Sequence, residues 1–184
     1  MAFRTIKEFE DLMQPVIVEI LGWQETPNNV RIGWIQTGQP AFKITDNVVF
    51  ITASPVDSEI GRHHDIEMVD SSPDLETTIT FTRVMALDVV AYGSDALDNL
   101  TTIRYGMYRA TSRNTLADEN IYFIPNAPEP RRVPESFAGQ WWERGDMKLT
   151  FNELMTEIEN ENAVNSAEIE IRNADEVLAE MIVD

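Results

Sequence analysis

Asp146 and Lys148 stand one residue apart in an alternating stretch, the spacing of the Asp-x-Lys half of a PD-(D/E)xK metal-nuclease signature. In such a site carboxylates hold magnesium and the lysine orients the attacking water. The other half has two upstream candidates, Pro73-Asp74 and the weaker Pro134-Glu135. Two-residue matches of this kind arise often by chance, and a nuclease also needs basic surface for its substrate. His63 and His64 lie near Asp57, Asp65 and Glu67, all metal-ligand residue types. Adjacent residues on a strand face opposite ways, however, and there is no third histidine. Solvated loop histidines are the plainer reading. Neither GxxxxGK(S/T) nor GxGxxG occurs, and HExxH and GxSxG are absent too. No catalytic residue, metal or cofactor is assigned, and a non-enzymatic protein is expected.

A chemistry of contact is better supported. Trp141 and Trp142 are adjacent, and Arg131, Arg132 and Arg144 form the basic cluster nearest to them. An arginine beside an indole can stack on its face. It can also pair with an acidic segment of a neighbouring subunit, or make a local salt bridge within its own. Trp141, Trp142, Arg144, Arg131 and Arg132 are therefore the candidate subunit-interface residues.

The element that must position them is Gly139 to Ile158. Beyond the tryptophans, Met147, Leu149 and Phe151 alternate with Lys148, Thr150 and Asn152. That period marks a half-buried strand. On such a strand Trp141 and Trp142 point to opposite faces, so only one can enter the obvious core. The other needs a second cover: a helix, a loop or another subunit.

The rest of the chain supplies the frame. Thr5 and Glu8 have capping-box spacing, and Ile6, Phe9, Leu12, Met13, Val16, Ile17 and Ile20 follow at helical intervals up to Gly22. Pro15 is expected to kink or split that helix. Val30–Gln36 and Asn47–Ala53 read as strands, and Ile66–Val69 as a short one. Glu76–Tyr92 reads as a long central strand. Ser94 is the expected N-cap of a second helix with Leu97, Leu100, Ile103 and Met107 on its core stripe. Asn120–Pro125 is another short strand. Residues 126–136 hold three prolines and read as a loop or arm. The chain is expected to turn back near residues 160–162 into a terminal hairpin through Ile171, leaving 173–184 as a tail. The expected fold is one α+β domain over residues 1–184. It has a mixed, mostly antiparallel sheet, two main helices on one face and a long C-terminal hairpin.

Composition bounds the setting. The 184 residues include no cysteine, which excludes disulfides and thiol chemistry. No apolar run approaches the ~20 residues of a membrane span, and the charged N-terminus lacks signal-peptide features. The net charge of −18 repels phosphate rather than gripping it. Such acidity keeps a chain soluble; it also suits a surface past which DNA slides.

Three strings occur in order: VRIGWIQTGQPAFKITDNVVFI (Val30–Ile51), YGSDALDNLTTIRYGMY (Tyr92–Tyr108) and WWERGDMKLTFNE (Trp141–Glu153). Together, over about Val30 to Ile171, they resemble the neck or tail terminator (tail completion) proteins of long-tailed bacteriophages. The resemblance implies a small α+β virion protein assembled in the host cytoplasm. It implies a closed homo-oligomeric ring, usually a hexamer, on the head-proximal end of the tail tube. That ring would end tube polymerisation, meet the tail tube protein and the head connector or stopper proteins, and let DNA cross its lumen without specific binding. A head-completion stopper or adaptor of the neck is the alternative within the same class, and the metal-dependent nuclease is the alternative outside it.

Overall fold

The first helix starts where its capping box starts. In the computed structural model, which describes residues 3–33, 40–71, 74–137, 139–162, 167–173 and 176–183, α1 spans Ile6–Leu21. The Thr5 hydroxyl accepts from the Glu8 amide, and the Glu8 carboxylate accepts from the Thr5 amide. Gly22 closes the helix at φ 70, a left-handed conformation that glycine adopts without a Cβ penalty. Pro15 does not split α1. Its ring sits on the exposed side, so the hydrogen bond it forgoes is lost where water replaces it.

The strands and remaining helices follow as β1 (Val30–Ile32), β2 (Val48–Pro55), β3 (His64–Ser71), β4 (Asp74–Tyr92), α2 (Ala96–Gly106), α3 (Ala110–Ala117), β5 (Ile121–Phe123), β6 (Arg131–Arg132), β7 (Glu135–Phe137), β8 (Gln140–Trp142), β9 (Arg144–Asn162), β10 (Ala167–Asn173) and β11 (Glu176–Val183). Seven strands form one sheet, in the order β1-β2-β4-β9-β5, with β3 on β4 and β6 on β9. β1 runs parallel to β2, whereas β2–β4, β5–β9 and β6–β9 are antiparallel. The long central strand is β4. Gly93 ends it at φ 109; a Cβ there would stand 2.6 Å from the Asp46 carbonyl oxygen. No helix among the described residues is long and apolar enough to cross a membrane.

This is the expected α+β fold with a mixed sheet. Three details differ. A third helix, α3, follows α2. The 126–136 segment contains β6 and the start of β7. The C-terminal hairpin is built from β10 and β11, paired from Ala167↔Val183 to Asn173↔Glu176, so the segment expected as a tail is a strand. Val177 to Val183 is a short apolar run interrupted only by Glu180, a length and composition that suit a strand. Trp34, expected on β1, lies outside the described residues, and β1 stops at Ile32.

Two compact units divide the contacts. One is Ala2–His64 with Phe81–Met155; the other is Asp65–Thr80 with Thr156–Asp184. In the first unit, odd-numbered strand residues make one core with the helices. Val49 and Ile51, Met85, Leu87 and Val89, and Met147, Leu149 and Phe151 meet Phe9, Met13 and Ile17 of α1, Leu100 and Ile103 of α2, and Leu116 of α3. Phe9 and Phe151 meet edge to face at 5.9 Å. Each such buried side chain contributes on the order of 1.5–3 kcal/mol. α1 is also tied to the strands by hydrogen bonds: Gln14 donates to the Val30 carbonyl, and the Ala53 amide donates to Glu10.

Candidate functional site

Even-numbered residues of the same strands build a second, helix-free layer. Val48 and Phe50 of β2 and Val90 and Tyr92 of β4 are buried there, packed against Phe42 and Trp142. Phe42 is the hub, with ring centroids 5.8 Å from Phe50, 5.7 Å from Tyr92 and 5.4 Å from Trp142. The Arg31 guanidinium lies over the Phe42 and Phe50 rings at 5.4 and 5.8 Å. Aromatic pairs in tilted and edge-on arrangements add roughly 0.5–1.5 kcal/mol each beyond area burial.

The tryptophans sit on their own ribbon. The expected single strand from Gly139 onward is broken at Glu143. β8 pairs with β7 in a two-stranded sheet, Glu135↔Trp142 and Ser136↔Trp141, while β9 joins the main sheet. Gly139, φ 74, provides the left-handed residue of the tight connection between them. The opposite-face expectation holds on this ribbon: Trp142 enters the aromatic cluster, and Trp141 is 71% exposed.

Arg144 fixes the ribbon to the sheet. Its Nε and Nη2 reach the two Asp146 carboxylate oxygens at 2.7 and 2.9 Å, and Nη1 reaches Glu135 of β7 at 3.1 Å. The hydrogen bonds to Asp146 raise the guanidinium pKa further above its ordinary value and keep it charged. Glu135 also accepts from the Tyr92 hydroxyl at 2.8 Å. Burial, and then the bond to Glu135, pushes the Tyr92 phenol up to about 12. Arg131 stands opposite Asp146 and Arg132 opposite Gly145. Both are exposed, and among the described residues neither makes an ion pair. Arg131, Asp88, Glu129, Asp146 and Lys148 line one open groove. Thus Trp142 and Arg144 flank Tyr92, Arg131 stands opposite Asp146, Trp141 projects from the ribbon, and Arg132 lines a small pocket with Ser94, Glu143 and Arg144.

The residues that suggested catalysis are occupied otherwise. Both Asp146 oxygens are held by Arg144, and Lys148 pairs with Asp88 at 3.4 Å. Among the described residues no three His, Asp or Glu side chains converge to hold a metal. His64 stacks on Phe81 at 4.7 Å, while His63 lies in the exposed connection before β3.

Glu153 was missed by sequence reasoning. It is fully buried, bonded to Arg4 at 2.8 Å and to Arg83 at 2.6 and 2.9 Å. Arg4 also binds Glu119, and Arg83 donates to the Arg4 carbonyl. Extending the alternation Met147, Leu149, Phe151 by one step puts Glu153 on the core face. That alternation is the signal that finds it, although a carboxylate on a core face goes against residue type.

The family model for the phage neck terminator protein matches residues 6–176. None of the curated proteins matches the chain. The family match begins at the first residue of α1 and ends at the first residue of β11, so it takes in both tryptophans, the ion-paired ribbon and the first helix, which lay outside the three strings noted in the sequence. With nearly every element of the fold inside one match, the chain belongs to the phage neck terminator protein family.

Proposed function

We propose that this neck terminator, a structural component of the phage virion, assembles as a closed ring of six copies on the head-proximal end of the tail tube. There it ends tube polymerisation and offers a docking face to the head connector. The observation that carries the reading is Trp141, a large apolar side chain left 71% exposed on a braced ribbon. Tryptophan and arginine are the residues most enriched at interface centres. Trp141 with Arg131 and Arg132 supplies one side of a head-to-tail contact, and such contacts close into rings when the rotation permits. The net charge of −18 suits a lumen through which DNA passes without sticking. Assembly takes place in the host cytoplasm, before head and tail meet.

Withholding the protein during phage assembly tests this reading. Tails of uncontrolled length that fail to join heads are expected. Tails of normal length, with the protein copurifying with portal and not with tube, would move it to the stopper position instead.

A further inference from the structure

Trp141 shares its face of the ribbon with an exposed arginine. One pairing register runs through the break at Glu143. Arg131↔Asp146 and Arg132↔Gly145 lie on one side of it, Glu135↔Trp142 and Ser136↔Trp141 on the other, and the Val133 amide donates to the Arg144 carbonyl between them. Residues two apart on a strand share a face, so Arg132, Ser136 and Trp141 point one way. Trp142 and Arg144 point the other way, toward Tyr92. A Cβ on Gly145, opposite Arg132, would stand 2.7 Å from Leu100 of α2, which puts that face on the helix side of the sheet. Trp141 is 71% exposed, and among the described residues Arg132 makes no ion pair. Both belong to the edge of the sheet beyond β9, where β6 leads into the ribbon.

The opposite edge carries a cleft of complementary chemistry. Pro15 and Val18 of α1 and Pro27 of the connector line it, together with Glu19 and Gln24. Its volume is ≈ 630 Å³, ample for one indole. Gln14 fastens α1 here to the edge strand β1 through the Val30 carbonyl. Proline has no amide, so Pro15 leaves the Asp11 carbonyl without its usual helical donor. Asp11, Pro15 and Glu19 follow one another at four-residue steps within α1, and all three are exposed. They form one line along the helix, with a carboxylate one turn to either side of the proline. Among the described residues neither carboxylate makes an ion pair.

We infer that the cleft beside Pro15 receives Trp141 from a second copy of this chain, with Arg132 of that copy against Asp11 and Glu19. The inference rests on the ring reading and names the surface that answers Trp141. The indole covers Pro15, Val18 and Pro27. Its N–H needs an acceptor once buried, and the Asp11 carbonyl is one. The arginine meets two carboxylates, so the charges of the two surfaces are complementary. Within one chain β1 and β6 lie four strand spacings apart, across β2, β4 and β9, or roughly 19 Å. That distance keeps Arg132 away from its own cleft. Two unlike surfaces on opposite edges are what a head-to-tail ring requires. A nucleic acid is a poorer occupant, because carboxylates flank the cleft.

The absence of cysteine makes a direct test simple. A full-length chain carrying Ser136→Cys, opposite Trp141, and Gln24→Cys, in the cleft, is assembled and treated with a short bis-maleimide. It should give a covalent ladder of oligomers on a denaturing gel. Each single-cysteine variant should stop at dimer or below. In parallel, Arg132→Glu should raise the concentration needed for assembly by at least about tenfold, because it sets like charges face to face. Adding Asp11→Arg and Glu19→Arg should restore assembly, which would not follow if Arg132→Glu acted by unfolding the chain. A ring that forms without a ladder and tolerates Arg132→Glu overturns the inference and leaves the ring reading standing. Cross-links confined to the monomer overturn it as well, by placing the contact within one chain. So does a Gln24→Cys thiol that reacts with maleimide as fast in the ring as in the monomer. Wild-type protein that never assembles, alone or with tail tube, removes both readings.

Discussion

Glu153 lies fully buried with one carboxylate oxygen on Arg4 and the other on Arg83, residues 149 and 70 positions away. This ion cluster ties the segment before α1 to the two longest strands. Both arginines are mostly covered, with side chains 22% and 21% exposed. Solvent therefore screens the cluster weakly. Removing one partner from such a cluster leaves buried charge without compensation, at a cost of about 3–5 kcal/mol. Glu153→Gln should lose stability on that scale in denaturant unfolding. Arg62→Ala, which breaks an exposed pair with Asp57, should change it by less than about 1 kcal/mol.

The two tryptophans should separate cleanly on mutation. Trp142→Ala empties the aromatic cluster and should cost about 3 kcal/mol, visible as a lowered denaturation midpoint. Trp141→Ala removes an exposed side chain and should alter monomer stability by no more than about 0.5 kcal/mol, while weakening assembly. Equal unfolding by both would remove Trp141 from the interface.

A close helix approach gives a third test. A Cβ on Gly106 of α2 would stand 2.9 Å from Ile20 Cγ1 of α1. Overpacking at this point should cost about 1–3 kcal/mol in Gly106→Ala. At about 2–4 °C per kcal/mol for a chain of this size, thermal unfolding should report it readily. Ile20→Ala removes both γ carbons, so Gly106→Ala should cost less in that background than in the wild type.

Alkaline unfolding should report the burial of Tyr92 and its bond to Glu135. The folded phenol titrates near 12 against about 10 when unfolded. Between those values the folded state binds the extra proton. The contribution of Tyr92 is thus complete below pH 10 and is lost as pH rises through 12. Tyr92→Phe should flatten the alkaline limb of the stability profile; a limb that stays equally steep would place the titration elsewhere.

Much of this fold was legible because local signals and burial agreed. α1 carries a capping box, a 3.6-residue stripe and a C-terminal glycine, and β4 announces itself by nineteen residues of strand-forming composition. α3 was not legible. ATSRNTLA buries only Ser112 and Leu116 and has little apolar stripe, so tertiary packing specifies it rather than pattern. The break at Glu143 was hard to see for a related reason: the nearby Gly145 lies inside β9 rather than at the break, and what separates the two strands is that they pair with different partners. At the site, the opposite faces of Trp141 and Trp142 followed from strand geometry alone. The partners of Arg144 did not, since Glu135 and Tyr92 reach it through pairing of distant segments.

Native mass spectrometry of the purified protein, alone at high concentration and mixed with tail tube, tests ring formation most directly. A single closed species of six copies is expected, with its population falling in Trp141→Ala. A strictly monomeric protein under both conditions would contradict it.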